Sequence, residues 1–241
     1  MNSLDSAERK YAVGSVVSLG SITLHLRIQS HIAVHEGHRS QIFTAFVETS
    51  DSTSDMPQYS TLPPPNSRVC VKIFDYDLVE VDDEDWIGSR AEFCSQFFCT
   101  EATIYERLTA LGGAEVPCIY YVSTVYVSIA GPYHAIIFEY IDQPSLSGYN
   151  VQSEGEMKLL EAASRSAIEK LHANGVYHGD IRGSNILWSL STRRLVLLDF
   201  EMSLVFDGKK DHVIKVWKEL DHGDLDYVLG KCRGRVPPPY P

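Results

Sequence analysis

Tyr177-His178-Gly179-Asp180-Ile181-Arg182-Gly183-Ser184-Asn185-Ile186-Leu187-Trp188 is the stretch from which the rest of the chain can be read. His178 stands two residues before Asp180, and four residues separate Asp180 from Asn185. An apolar strand, Leu195 to Leu198, follows and ends in a second acid, Asp199. A short loop can hold Asp180 and Asn185 facing one small volume, and a strand-end Asp199 can be brought beside them. Asn185 and Asp199 then offer two oxygens to a hard cation, and Asp180 is left to accept a proton from a hydroxyl. These are the parts of phosphoryl transfer, in which the protein mainly positions groups and neutralises charge. A lone Asp or Asn in a loop is usually a turn former or a cap, so the weight rests on the ordered set.

His-x-Asp-x-x-x-x-Asn, a hydrophobic strand and Asp199-Phe200 resemble the protein-kinase-like superfamily. The whole set, through Trp188 and Asp199-Phe200-Glu201, is similar to short kinase-like proteins of filamentous fungi with a His-Gly-Asp loop. The resemblance implies an α+β, two-lobed protein-kinase-like fold. Its small lobe is an antiparallel sheet plus one helix, and its mainly helical large lobe is shortened here. The kinase-like domain is expected over residues 30–236, with a small lobe at about 30–140 and a large lobe at about 141–236. Residues 1–29 are expected as an N-terminal extension, in which Val13 to Leu26 alternates weakly and Arg9 and Lys10 read as solvated charges. Residues 237–241 are a Pro-rich tail. The implied cofactors are ATP and Mg2+, with Asn185 and Asp199 on the metal, Asp180 at the acceptor hydroxyl and Arg182 at the γ-phosphate. Arg182 stands where protein kinases have Lys, and the two cations are not interchangeable.

Upstream context agrees. Val69 to Phe74 is an apolar strand with Lys72 in its middle, and period two puts Lys72 on the face opposite Val71 and Ile73. A strand lysine ordinarily faces solvent; in the resemblance it is the lysine that holds the α- and β-phosphates. Ser89 to Leu111 reads as a helix in which Phe97, Glu101, Ile104, Tyr105 and Leu108 form one face, ended by Gly112-Gly113. An acid on an apolar face needs a partner, and Lys72 is the natural one for Glu101, ahead of Glu106 as the competing acid. Ile32 to Val47 reads as strand, turn, strand, and only Gly37 and Ser40 fall where the family's Gly-rich phosphate loop has glycines. Val116 to Val127 and Tyr133 to Ile141 are two more strands. By the resemblance, the second runs into a hinge at Glu139-Tyr140-Ile141 whose backbone binds adenine. Ser153 with Glu156 is a capping-box signature for a helix reaching about His172, with Leu160, Ser164, Ile168 and Leu171 on one face. Asn174-Gly175 stops it just before the opening stretch.

Other features depart from the family. Gly179 replaces the Arg that pairs with a phosphorylated activation loop in many kinases, which argues against that mode of switching. The His-Gly-Asp form also looks like the aminoglycoside phosphotransferase and RIO-like groups. Glu201 stands where the family has Gly, which would rigidify the loop or weaken the metal geometry, and no Ala-Pro-Glu follows. Glu219 to Leu229 reads as one helix. A protein acceptor is expected first, with a small-molecule acceptor and a turnover-free pseudokinase as alternatives.

Composition sets outer limits. The chain has 241 residues, 44% of them hydrophobic, enough for a two-lobed core. A net charge of -11 argues against a nucleic-acid partner. Without an apolar run of about 18 residues, no membrane span is expected. Five cysteines without paired spacing suggest reduced thiols and a cytoplasmic or nuclear protein, and no leader peptide is evident. The acidic run Asp75 to Asp85 reads as a solvated loop. Pro237, Pro238 and Tyr240 match a Pro-Pro-x-Tyr ligand of WW-type modules, although a frayed end is the simpler reading.

Overall fold

Six strands are described before Tyr140. In the computed structural model, which describes residues 6–19, 23–33, 39–51, 62–79, 88–126 and 132–233, they are β1 (Val16–Leu19), β2 (Thr23–Ala33), β3 (Gln41–Asp51), β4 (Arg68–Phe74), β5 (Ile119–Tyr126) and β6 (Pro132–Glu139). All neighbours run antiparallel and close into a barrel in the order β1-β2-β3-β4-β6-β5. Closure follows from side-chain alternation. Leu24, Leu26 and Ile28 of β2, Phe43, Ala45 and Val47 of β3, Val69, Val71 and Ile73 of β4, and Ala135 and Ile137 of β6 meet in one buried cluster.

The opposite face of β4 and β6 is covered as well. Helix α2 (Arg90–Arg107) lays Phe98 on the His134 ring of β6 at 4.3 Å, and edge-on to Phe74 of β4 at 5.6 Å. Ser89 starts this helix by a reciprocal cap: it accepts from the Glu92 N–H, while the Glu92 carboxylate accepts from the Ser89 N–H. With both faces of β4 buried, Lys72 cannot snorkel to water.

The N-terminal stretch expected to lie outside the domain is part of it. Helix α1 (Ser6–Lys10) leads Tyr11 into the barrel core, where its ring stacks on Phe43 at 5.5 Å. Two readings are corrected together. Lys10 is not a solvated charge, and Asp75 does not belong to a solvated loop. Asp75 is fully buried, accepts from the Tyr11 hydroxyl at 2.6 Å and lies 2.8 Å from the Lys10 ammonium. Lys10 also reaches Asp77 at 3.2 Å and donates to the Tyr133 hydroxyl at 2.7 Å, and Tyr133 donates to Asp77. The reason is positional: Asp75 directly follows the buried end of β4. Burial and the Asp75 charge push the Tyr11 phenol far above its ordinary range, so it stays a donor.

The chain divides into two compact units, residues 1–102 with 118–140, and residues 103–117 with 141–241. The division falls within α2. The second unit holds α3 (Glu154–Ala173), the short strands β7 (Val176–Tyr177), β8 (Ile186–Ser189), β9 (Arg194–Leu197) and β10 (Leu204–Val205), and α4 (Asp211–Cys232). Ser153 caps α3 as expected, accepting from the Glu156 N–H at 3.1 Å. The return half of the box differs: the Glu156 carboxylate takes the Gln152 N–H and the Tyr149 hydroxyl. Leu160, Ser164, Ile168 and Leu171 form its buried face. Helix α4 is longer than the expected 219–229, and its Leu220 is 48% exposed.

Replacing Tyr11 by Phe removes one donor from a buried carboxylate. The expected outcome is a loss of about 1–3 kcal/mol in urea unfolding, with the barrel core otherwise unchanged.

Candidate active site

Lys72 and Glu101 meet inside the first unit. The Lys72 ammonium lies 2.7 Å from the Glu101 carboxylate, and the side chains are 2% and 1% exposed. Lys72 is fixed by pairing on both sides of β4, opposite Ile42 of β3 and Ile136 of β6. Glu101 is fixed by the buried stripe of α2, whereas Glu106, the competing acid, is exposed. A buried pair of this kind loses about 3–5 kcal/mol when one partner is removed, because the other charge stays uncompensated. Cys70, on the same face as Lys72, has its thiol pushed up to about 12, chiefly by burial. It is an inert, protonated neighbour.

The loop after β7 is held in the second unit by backbone and side-chain bonds. His178 is fully buried; its Nδ1 accepts from the Asp180 N–H at 3.3 Å, and its Nε2 lies 3.2 Å from the Leu198 carbonyl. These bonds define a neutral tautomer protonated at Nε2. Burial holds the His178 pKa below its ordinary value, against the pull of Asp221, Asp199 and Asp180. His178 therefore ties the start of the loop to the residue before Asp199. The Asn185 Nδ2 donates to the Asp180 carboxylate at 2.9 Å and to the Asp180 carbonyl at 3.0 Å. That leaves the Asn185 Oδ1 as its oxygen donor, and Ser184 donates to it at 3.2 Å. The Leu198 N–H donates to the Asn185 carbonyl at 2.9 Å, which joins the Asn185 turn to the approach of Asp199.

Asp199 has a left-handed backbone, φ 67°, rare for a residue other than Gly. Phe200 behind it is fully buried, 4.8 Å from the His178 ring and edge-on to Tyr105 at 5.1 Å. This stack turns Asp199 away from the core. Arg182 is 59% exposed, with Nε 3.1 Å from Asp180 and Nη2 3.6 Å from Asp199. The structure thus brings Asp180, Arg182, Asn185 and Asp199 together. The oxygens of Asn185 and Asp199 form a hard donor set suited to a divalent cation rather than a thiophilic metal.

Sequence reasoning missed Asp221, in the middle of α4. It is fully buried and accepts three N–H groups: His178 at 3.0 Å, Gly179 at 3.1 Å and the His172 ring at 2.9 Å. The available signal was an acid on the α4 face that also carries Leu225 and Val228, the same kind of signal that identified Glu101. Ser203 adds a hydroxyl donated to the His178 carbonyl at 2.8 Å. Gly179 has φ 77°, and a Cβ there would lie 2.5 Å from the Met202 carbonyl oxygen. Only glycine lets the loop and the segment after Asp199 approach this closely.

The remaining expected residues are Ser40, Gly37, Glu139 and Ile141. Ser40 is buried next to β3, while Gly37 lies outside the described residues. The Glu139 N–H donates to the Cys118 carbonyl at 2.9 Å, and its carboxylate accepts from the Cys118 N–H at 3.2 Å. Ile141 opens the second unit and is partly exposed. The Pro-rich tail is also outside the described residues.

This arrangement accords with the sequence comparisons. Residues 97–218, just over half of the chain, match the lipopolysaccharide kinase (Kdo/WaaP) family, and the chain belongs to that family, within the protein-kinase-like superfamily. It is also similar to a probable serine/threonine-protein kinase of Arabidopsis thaliana, 32% identical over 108 residues, covering 39% of this chain and 18% of that protein. The serine/threonine-protein kinase Kist of Homo sapiens and of Rattus norvegicus is 27% identical over 129 residues, 52% of this chain and 30% of the relative. The chain thus spans less than a third of the length of these curated relatives. Among the described residues no helix is long and apolar enough to cross a membrane.

Two outcomes follow. Gly179→Ala should lose about 1–3 kcal/mol of stability in denaturant unfolding from backbone strain alone, with a further loss from the Met202 contact. The depressed His178 pKa means that, as pH falls below about 6.5, the unfolded chain protonates this imidazole before the folded one does. Its contribution is therefore present at neutral pH and lost on acidification. In NMR titration, the His178 ring signal should stay unchanged from pH 8 through the ordinary histidine range.

Proposed function

We propose that this chain is an ATP-dependent phosphotransferase that moves the γ-phosphate to a hydroxyl. The observation that carries the reading is the Asp180–Arg182–Asn185–Asp199 constellation, in which the Asn185 amide bonds the Asp180 carboxylate and Arg182 approaches both acids. Lys72, held by Glu101, orients the α- and β-phosphates. Asn185 and Asp199 would hold Mg2+, which supplies neutralisation of phosphate charge when bound. Asp180 accepts or orients the acceptor proton, steadied by the Asn185 amide. Arg182 meets the transferred phosphate with a planar donor fork. By the family pattern, Gly37 and Ser40 are assigned to the phosphates, and the backbone of Glu139 and Ile141 to adenine.

Serine or threonine of a protein is the first acceptor class, in line with the curated kinases that the chain resembles. One observation favours a small-molecule hydroxyl as a second reading. Residues 200–210 alone connect Asp199 to α4, and β10 within them pairs back onto β7, so little chain is left there to cradle a peptide.

The test is a thermal shift with ATP, with and without Mg2+, on wild type and Asp199→Ala, followed by phosphate transfer from labelled ATP to protein and metabolite panels. A shift that needs Mg2+ and disappears in Asp199→Ala is expected. Transfer should fall about 100-fold or more in Asp180→Asn. Nucleotide binding indifferent to Mg2+, with no transfer, would mean a pseudokinase instead.

A further inference from the structure

Arg182 has most of its side chain in solvent, yet its guanidinium turns back onto two acids. Its Nε is 3.1 Å from the Asp180 carboxylate and its Nη2 is 3.6 Å from the Asp199 carboxylate. One cation therefore spans the group assigned to the acceptor proton and the group assigned to the metal. Both acids are about equally exposed, at 29% and 27%, so solvent reaches them and an incoming cation does too. Asp199 is not free to turn away: His178 bonds the Leu198 carbonyl before it, and buried Phe200 fixes the residue after it. A divalent ion arriving alone at Asp199 must displace the guanidinium or sit beside it, and like charges at that separation repel. Polyphosphate changes the balance, because its oxygens accept from the guanidinium fork while also ligating the metal.

We propose that Arg182 is a built-in counter-ion that holds Asp199 in the nucleotide-free protein and passes to the nucleotide's phosphates on binding, so that divalent metal enters together with nucleotide rather than before it. This rests on the phosphotransferase reading and adds a binding order to it. No bond forms or breaks; the exchange is of ion pairs only.

The test measures Mn2+ binding without nucleotide, by electron paramagnetic resonance, in wild type, Arg182→Gln and Arg182→Lys. The measurement is repeated with a non-hydrolysable ATP analogue, with Asp199→Ala as the site control. Arg182→Gln should bind Mn2+ alone about three- to fivefold more tightly than wild type, the scale of an exposed ion pair. The gain in Mn2+ affinity on adding nucleotide should be correspondingly smaller in that variant. Arg182→Lys, which keeps the charge, should follow wild type. Equal Mn2+ affinity in wild type and Arg182→Gln overturns the proposal, and so does an Arg182→Lys variant that behaves like Gln. Arg182→Gln removes an exposed group, and circular dichroism verifies that each variant is folded. The two readings fail separately. Wild type that binds no metal–nucleotide at all removes the phosphotransferase reading, whereas normal metal–nucleotide binding with no difference between variants removes only the role of Arg182.

Discussion

Asp221 places a carboxylate in the interior of the second unit, and the loop from His178 to Asn185 is arranged around it. Three N–H groups converge on its carboxylate, from the His178 and Gly179 backbones and the His172 ring. A buried carboxylate is tolerable only when its lone pairs are filled, so these donors are required as much as they are permitted. The consequence is directional. With the N–H groups of residues 178 and 179 aimed at α4, the chain must leave in the opposite sense, which carries Asp180 toward the surface. Ser203 takes the His178 carbonyl from the other side, and the imidazole itself clamps Leu198. Four elements, α3, β7, the segment after β9 and α4, are thereby referred to one point.

The first unit solves a related problem with the opposite charge. Lys72 is held in a strand buried on both faces, and Glu101 is its partner on α2. As with Asp221, the charge is placed by the cost of leaving it unpaired. The barrel makes this possible. β4 lies between β3 and β6, so it has no free edge, where a strand lysine usually finds water. The Lys10–Asp75–Tyr11 network secures the chain as it leaves β4, three residues beyond Lys72. Lys72 and the His178–Asn185 loop therefore each rest on the packing of their own unit, beside a buried acid.

How much was legible in the sequence depended on whether the signal was local. Asp180, Asn185 and Asp199 were readable because their order and spacing lie within one short stretch. Lys72 and Glu101 were readable because periodicity put each on a face where a charge needs explanation. The Ser153 cap was local too, and held; the return bond of Glu156 went instead to Gln152, because cap geometry is decided by the turn before the helix. Lys10 and Asp75 were misread because their pairing spans more than sixty residues and depends on barrel closure, which no alternation pattern encodes. Asp221 fell between these cases. Its helix face was visible, but the groups that need it are backbone N–H groups, and those carry no sequence letter.

Gly179 shows how one residue can mean two things at these two levels. Against the family pattern it is an absence, the loss of an arginine that answers to a phosphorylated loop. In the structure it is a requirement. Its φ of 77° and the 2.5 Å that would separate a Cβ from the Met202 carbonyl exclude any side chain. The two facts have one cause. The segment after Asp199 is short, pairs β10 to β7 and passes directly over residue 179 before entering α4. A chain that returns so soon brings the Met202 carbonyl onto residue 179 and leaves no room for a side chain there. The same shortness brings Ser203 to the His178 carbonyl. The backbone around Asp199 is thus placed by contacts within the unit, the His178 ring on the Leu198 carbonyl before it and the buried Phe200 ring after it.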